Sequence, residues 1–404
     1  MDADIIITGA GPAGLCLARA LRGTGLSVVL VESQPRQALA DPAFDGREIA
    51  LTHHSRMLMQ QLGLWDRIDG ADIAPLRDAL VMNGAPGRGQ ARMRIGHEHG
   101  GRSQLGFLVG NHHIRRAAFA ATLTEADDTG KPPRLLDARQ VTQVSTDEEH
   151  AQVWLDDGSC LRARLLVAAD SRHSSTRRAM GIAADLHDYG RSMLVCALTH
   201  TTPHEATAWE WFDHGQTLAL LPMNDCPQTG LPRASVVLTL PHAQIQALAS
   251  IEPDAFGDAI TARFQQQLGP MRLASTRHVY PLVGVLPRHL VARRFAAVGD
   301  AAVGMHPVTA HGFNLGLLSI ETLSQRIIRA HHQRGDIAAP ALLKRYERTH
   351  QGASRGLYLA THAVASLYTR DGPPARLLRQ LMVRVGDRLP PFKRAVAGSL
   401  TGLA

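Results

Sequence analysis

Gly9, Gly11 and Gly14 follow a run of three isoleucines, Ile5, Ile6 and Ile7, in the spacing G-x-G-x-x-G. That spacing suits one chemical task, bringing peptide N–H groups against a pyrophosphate. The first glycine permits a tight turn, the second lets the backbone approach the phosphates, and the third lets a helix pack close on its strand. Pro12 and Ala13 fill the gap and open that helix, whose N-terminal amides and dipole favour anionic oxygen. Glu32 stands 18 residues after Gly14, at the end of the strand-like run 27–32. A carboxylate there can accept both hydroxyls of a ribose. A turn that binds nothing would explain the glycines, but not the full order of strand, helix, strand and terminal acid. The unit alone does not separate NAD from FAD.

A second glycine-rich segment, GDAAVGMHPVTAHGFNLG, occupies residues 299–316. FAD extends further on its reactive side than one nucleotide-binding unit covers, and a distant segment often contacts that half. Asp300 ends a strand-like run and can accept hydrogen bonds from ribityl hydroxyls. Pro307 holds the turn rigid, and Gly312 permits close approach. Gly312, Phe313 and Asn314 start a helix whose positive end would face the pyrimidine edge of a flavin. That edge becomes anionic on reduction, so a helix N-terminus stabilises it there.

The elements that must carry these residues are read from pattern. The β-branched run before Gly9 suits a buried parallel strand. Residues 206–223 alternate and carry two tryptophans, which suits hairpin strands of a sheet covering the flavin, or an ordinary apolar sheet face. Composition is that of a globular chain of 404 residues. No stretch reaches the roughly 18 apolar residues of a membrane span. The N-terminus has no secretory or transit pattern. Cys16, Cys160, Cys196 and Cys226 are scattered, as expected of reduced thiols, and metal binding fits poorly at His53, His54, His306 and His311, where no acid or cysteine joins a pair at ligand spacing. His53 and His54 read as packing residues; His306 reads equally as a packed residue or a proton relay. The net charge is +7, yet the segment from residue 341 alone holds eleven basic residues against Glu347, Asp371 and Asp387. A basic region of this kind suits a lipid surface or an acidic partner, or a solvated helical cap.

On these residues the chain resembles the class A flavoprotein aromatic monooxygenases. It is especially similar to the ubiquinone-biosynthesis hydroxylases, and among them it resembles the demethoxyubiquinol hydroxylases of the UbiM type. The segment 299–316 resembles their second FAD motif, G-D-A-A-H-x-x-H-P-x-x-G-Q-G-x-N-x-G. Val303, Ala310 and His311 depart from it, as do Leu318 and Ser319 beyond it. The run DGREIALTH resembles the family segment whose arginine, here Arg47, contacts the flavin. NHHIRRA places Asn111 at a polar contact to FAD. VAADSRHSSTRR resembles D-G-x-x-S-x-x-R, giving Asp170, Ser174 and Arg177, with Ser171 in place of the glycine.

The resemblance implies an α/β fold: an FAD-binding Rossmann-like (para-hydroxybenzoate hydroxylase-like) domain, an inserted substrate-binding β-sheet domain and C-terminal helices. The expected division is 1–75, 106–180 and 285–340 for FAD, 76–105 and 181–284 for the substrate sheet, and 341–404 for the basic helices. The implied activity is ring hydroxylation of a polyprenylated phenol or quinol by dioxygen through a flavin hydroperoxide. FAD is the implied cofactor, reduced by NAD(P)H or another donor. Implied partners are other quinone-biosynthesis proteins and a peripheral membrane surface, with no nucleic acid. The expected location is cytoplasmic, at most peripheral to the inner membrane. Two alternatives stay open: a hydroxylase of a soluble aromatic, and a flavin-binding subunit without chemistry of its own.

Overall fold

The structure is a computed structural model that describes residues 1–85, 90–124, 130, 132–213, 215–306, 311–368 and 373–402. Its first sheet begins with the isoleucine run. The strand Ala3–Thr8 lies between Val28–Val31 and Cys160–Ala168, parallel to both. Arg134–Leu136 and Phe295–Ala297 extend the sheet in parallel on either side. Ile5, Ile6 and Ile7 are fully buried, as a strand covered on both faces requires. An antiparallel hairpin, Val141–Thr146 and Ala151–Leu155, leads into the Cys160 strand. The helices Pro12–Leu21 and Gly312–His332 pack against one another beside this sheet.

A second sheet is nearly all antiparallel. Its order is Arg272–Leu273, Ala184–Thr199, Arg233–Pro241, Gln216–Met223, Thr207–Asp213, Asp78–Asn83 and Ala91–Ile95, and His278–Pro287 pairs with the long Ala184 strand. The residues 206–223 form the hairpin that their alternation suggests, with Trp211 fully buried in a separate apolar core. The strands of 78–95 and 184–287 thus pair with one another, and His278–Pro287 runs past residue 284 toward the first sheet.

A third, small sheet joins the two parts. Glu48–Leu51, Gly106–Gly110 and Ile73–Leu76 pair antiparallel around the central Gly106 strand. The chain ends in three helices, Pro340–Tyr368, Pro373–Arg388 and Pro390–Thr401. Val383 and Ala397 from the last two share an apolar cluster with Leu76, Met93 and Leu108. No described helix is long and apolar enough to cross a membrane.

Candidate FAD site

The first glycine loop is shaped by backbone crowding. Gly9 has φ +97°, and a Cβ on it would lie 2.5 Å from the carbonyl oxygen of Ala169. A Cβ on Gly14 would lie 1.9 Å from the Gly9 oxygen. Gly11 differs, because nothing lies within 4 Å of where its Cβ would stand. Two glycines therefore serve packing and the middle one leaves open space, as a backbone that faces a ligand must. Pro12 occupies the first turn of its helix. Glu32 is held at its strand end: Oε2 accepts the Ala10 N–H at 2.7 Å, and Oε1 accepts from Gln34 N at 2.9 Å. A carboxylate has further lone pairs, so acceptor capacity remains.

The second loop locks onto the first. Gly299 has φ +60°, and its Cβ would meet the Cβ of Ala13 at 2.6 Å. Its N–H donates to Ser319 Oγ at 3.0 Å, and Ser319 in turn donates to the Gly316 carbonyl at 2.6 Å. Ser319, one of the departures from the family pattern, thus fixes the start of this loop. Asp300 pairs with Arg172 at 3.3 Å, and Arg172 also donates to the Val283 carbonyl. Asn314 fastens the helix start to the small sheet: its amide donates to Ala50 O at 2.8 Å and accepts the Thr52 N–H at 3.1 Å. Gly312 faces open space, and Phe313 packs on the main core. Pro307 and Ala310 lie outside the described residues.

Arg47 and Asn111 are brought together by a residue the motif reading passed over. Asp45 accepts Arg47 Nη2 at 2.5 Å and Asn111 Nδ2 at 2.7 Å, while Tyr280 donates to the Asp45 carbonyl at 2.7 Å. Arg47 lies over the Tyr280 ring. Burial pushes the Asp45 carboxyl up, but the Arg47 hydrogen bond and charge, with Asn111, outweigh it and hold its pKa below the ordinary value. The signal was the acid two positions before the arginine in DGR.

Asp170 braces the first turn of the short helix Ser175–Ala179, whose N-cap is Ser174. Asp170 Oδ2 accepts from the Thr176 hydroxyl at 3.0 Å, and Oδ1 is buried without a hydrogen-bond partner. Ser174 accepts the Arg177 N–H, and buried Arg177 donates to the Ala301 carbonyl at 3.0 Å. Ser171 has φ +144°, a region that favours glycine. The turn therefore has a backbone that a glycine adopts more readily, at a cost of order 1 kcal/mol for the serine.

The histidines divide by position. His53 bonds to the Gln104 carbonyl and His54 pairs with Glu321 at 3.0 Å, so both tie elements together. His306 packs edge-on to Tyr189, and burial, with Arg172 and His362, lowers its pKa to about 4. It is a neutral imidazole at physiological pH.

A cavity of about 290 Å³ lies between the small sheet and the second sheet, lined by Phe44, Glu48, Leu108, His112, Met223 and Arg233 among others. Burial, against the opposing charge of Arg233, raises the Glu48 pKa to about 8. The folded protein therefore holds a proton on Glu48 that the unfolded chain releases near pH 4.5. Stability from this group should fall as pH rises from about 4.5 to about 8. Glu48→Gln should flatten that fall, by on the order of 1–2 kcal/mol. Thermal melting of both proteins across the window checks it; parallel pH profiles would show that Glu48 is not held protonated.

These contacts link both glycine loops, Glu32, Asp170, Asp300, and the Arg47–Asn111 pair through the Gly312 helix. The open backbone at Gly11 and Gly312, with carboxylates at either end, fits a long dinucleotide such as FAD. Such a site on a parallel sheet, with a second and mostly antiparallel sheet beside it, is the architecture of an FAD-binding protein of the para-hydroxybenzoate hydroxylase-like fold. The chain belongs to the family described as FAD binding domain, whose model matches residues 2–357. It is 42% identical over 100% of its length to "Ubiquinone hydroxylase UbiM" of Neisseria meningitidis, covering 85% of that protein. It is 31% identical to "Ubiquinone hydroxylase UbiL" of Rhodospirillum rubrum, over 97% of this chain and 88% of the relative. The fold matches p-nitrophenol 4-monooxygenase PnpA from Pseudomonas putida with a TM-score of 0.74 and 17% identity, over 99% of this chain and 98% of the other.

Proposed function

We propose that the protein is an FAD-dependent monooxygenase that hydroxylates the aromatic ring of a polyprenylated ubiquinone precursor, with demethoxyubiquinol as the favoured substrate. The observation that carries this reading is the 42% identity to a ubiquinone hydroxylase along the whole chain. Bound FAD, reduced by a nicotinamide or another donor, would supply dioxygen activation. The proposed FAD contacts are Gly9, Gly11, Pro12, Ala13, Gly14, Glu32, Arg47, Asn111, Asp170, Asp300, Pro307, Gly312, Phe313 and Asn314. The proposed domains are those of the sequence division.

In this reading Glu32 and Asp300 hold opposite ends of the cofactor. The Gly312 helix sets its dipole toward developing negative charge. Asp45 keeps Arg47 in place. The second sheet, with its buried Trp211 core, excludes water from one side of the ring. Neutral His306 adds no competing positive charge. Other quinone-biosynthesis proteins and a peripheral membrane position in the cytoplasm complete the proposal.

The test is complementation of bacterial strains that each lack one ring hydroxylase, with quinone intermediates identified by mass spectrometry. Wild type should restore ubiquinone in at least one strain, and Asp300→Ala should lose the rescue. Absence of rescue in every strain by soluble, FAD-loaded protein would refute the quinone substrate.

A further inference from the structure

Large exposed apolar side chains concentrate at one place in the described protein. On the helix Pro373–Arg388 they are Leu377, Leu378, Leu381, Met382 and Val385, and they continue through Leu389 to Phe392 in the next turn of chain. Leu377 is 69% exposed and Leu381 56% exposed. At about 100° per residue, the five helical positions fill one arc of about 140°. The opposite face is seated: Val383 joins Met93 and Leu108 in an apolar cluster, and Gly386 lies so close to Met93 Sδ that a Cβ would stand 2.9 Å from it. The helix is therefore anchored by one face and bare on the other.

The rim of the bare face is basic. Arg384 and Arg388, one turn apart and exposed, fall along the edge of the apolar arc. Residues 373–402 hold six basic side chains against the single acid Asp387, which pairs with Lys393 at 2.6 Å. A second copy of this chain would bring the same positive rim against it. An anionic bilayer answers both features, because aliphatic side chains enter the acyl boundary while guanidinium groups meet lipid phosphates.

We infer that the apolar face of the helix Pro373–Arg388, rimmed by Arg384 and Arg388, docks the protein on an anionic membrane surface. The same helical pair reaches the FAD site. Ser399 meets His311 Nε2 at 3.2 Å, and Gly402 packs on Thr52 at the start of the helix His53–Gln61. Docking would thus put the lipid phase, where a polyprenyl tail resides, against the element that touches the second glycine loop. The surface stands on exposure and charge; its use in substrate delivery rests on the proposed function.

The experiment is co-sedimentation of the full-length, FAD-loaded protein with vesicles of phosphatidylcholine alone or with added phosphatidylglycerol, at low and high salt. Wild type should sediment with the phosphatidylglycerol vesicles, less at high salt and less with phosphatidylcholine alone. Leu381→Ser/Val385→Ser and Arg384→Gln/Arg388→Gln should each weaken binding at least about tenfold. All four side chains are exposed, and unchanged flavin absorbance would show the fold intact. Wild type left in the supernatant, or variants that sediment like wild type, would overturn the inference. So would a dimer in analytical ultracentrifugation that Leu381→Ser/Val385→Ser dissociates, since the face would then belong to a second copy. Hydroxylation of a short-tailed quinol in free solution separates the two readings. Variants that keep this activity but lose vesicle binding support the docking face. Vesicle binding by a wild type inactive on every quinol leaves the docking face standing and refutes the proposed reaction.

Discussion

Gly11→Val should fold like the wild type and lose FAD. The position has φ −68° and ψ −179°, which any residue adopts, and nothing within 4 Å would obstruct its Cβ. The valine methyls would occupy the space the backbone leaves for a pyrophosphate, with an expected loss in FAD affinity of at least about 100-fold. Gly14→Val makes the contrasting case. Its Cβ would stand 1.9 Å from the Gly9 carbonyl oxygen, so the loop itself must break and the fold should suffer. Flavin content and thermal melting of the two variants separate the effects. A Gly11→Val protein that purifies with wild-type flavin content would show that the pyrophosphate is bound elsewhere.

Asp45→Ala should weaken both the site and the fold. The carboxylate is the shared acceptor of Arg47 and Asn111, and hydrogen bonds to charged groups contribute about 1.5–3 kcal/mol each. Without it Arg47 has lost the carboxylate that fixes its direction, and Asn111 has lost an acceptor. The expected outcome is FAD binding weaker by about tenfold or more and stability lower by about 1–3 kcal/mol. Asp45→Asn should recover part of each by keeping one acceptor oxygen. The pH dependence has a definite sign. The folded-state pKa of Asp45 is lowered, so its contribution is present above the ordinary value of 3.8 and disappears as pH falls through the lowered one. Equilibrium FAD titration and denaturation against pH check this. Unchanged flavin affinity in Asp45→Ala would remove Arg47 and Asn111 from the site as a clamped pair.

Docking through the C-terminal helices gives the charge excess of the tail a location. Much of the basic excess could have been spread over solvated faces. Instead Arg384 and Arg388 border the leucines that the same helix leaves exposed. Arg379, one turn from Val383, is buried on the seated side and is no part of that surface.

The sequence by itself determined the two glycine loops, because their physics is local. Gly9, Gly14 and Gly299 are needed where a backbone must turn with positive φ or lie so close to another segment of the chain that a Cβ would clash, and such positions show as residue types at fixed spacing. Glu32 was legible for the same reason, as an acid directly after a buried strand, whereas the strand expected to run to Asp300 stops at Ala297 and Asp300 stands in the short 3-10 turn Gly299–Ala301, because Gly299 turns the chain with positive φ. The alternation of 206–223 likewise announced its hairpin, since side chains on a strand point to opposite faces every second residue. Only the tertiary structure decided what these residues touch. Ala13 against Gly299 joins segments almost three hundred positions apart. Asp45 between Arg47 and Asn111, Ser319 holding the Gly299 amide, and Arg172 bridging Asp300 to Val283 all depend on distances no local spacing records. Ser171 could not reveal that it takes a backbone a glycine adopts more readily, because the strain is imposed by the strand and helix on either side of it. The bare face of the helix Pro373–Arg388 was hidden for the converse reason. Leucines at helical spacing mark a buried stripe as readily as an exposed one, and only the packing of Val383 and Gly386 on Met93 shows which side of the helix was left to meet something else.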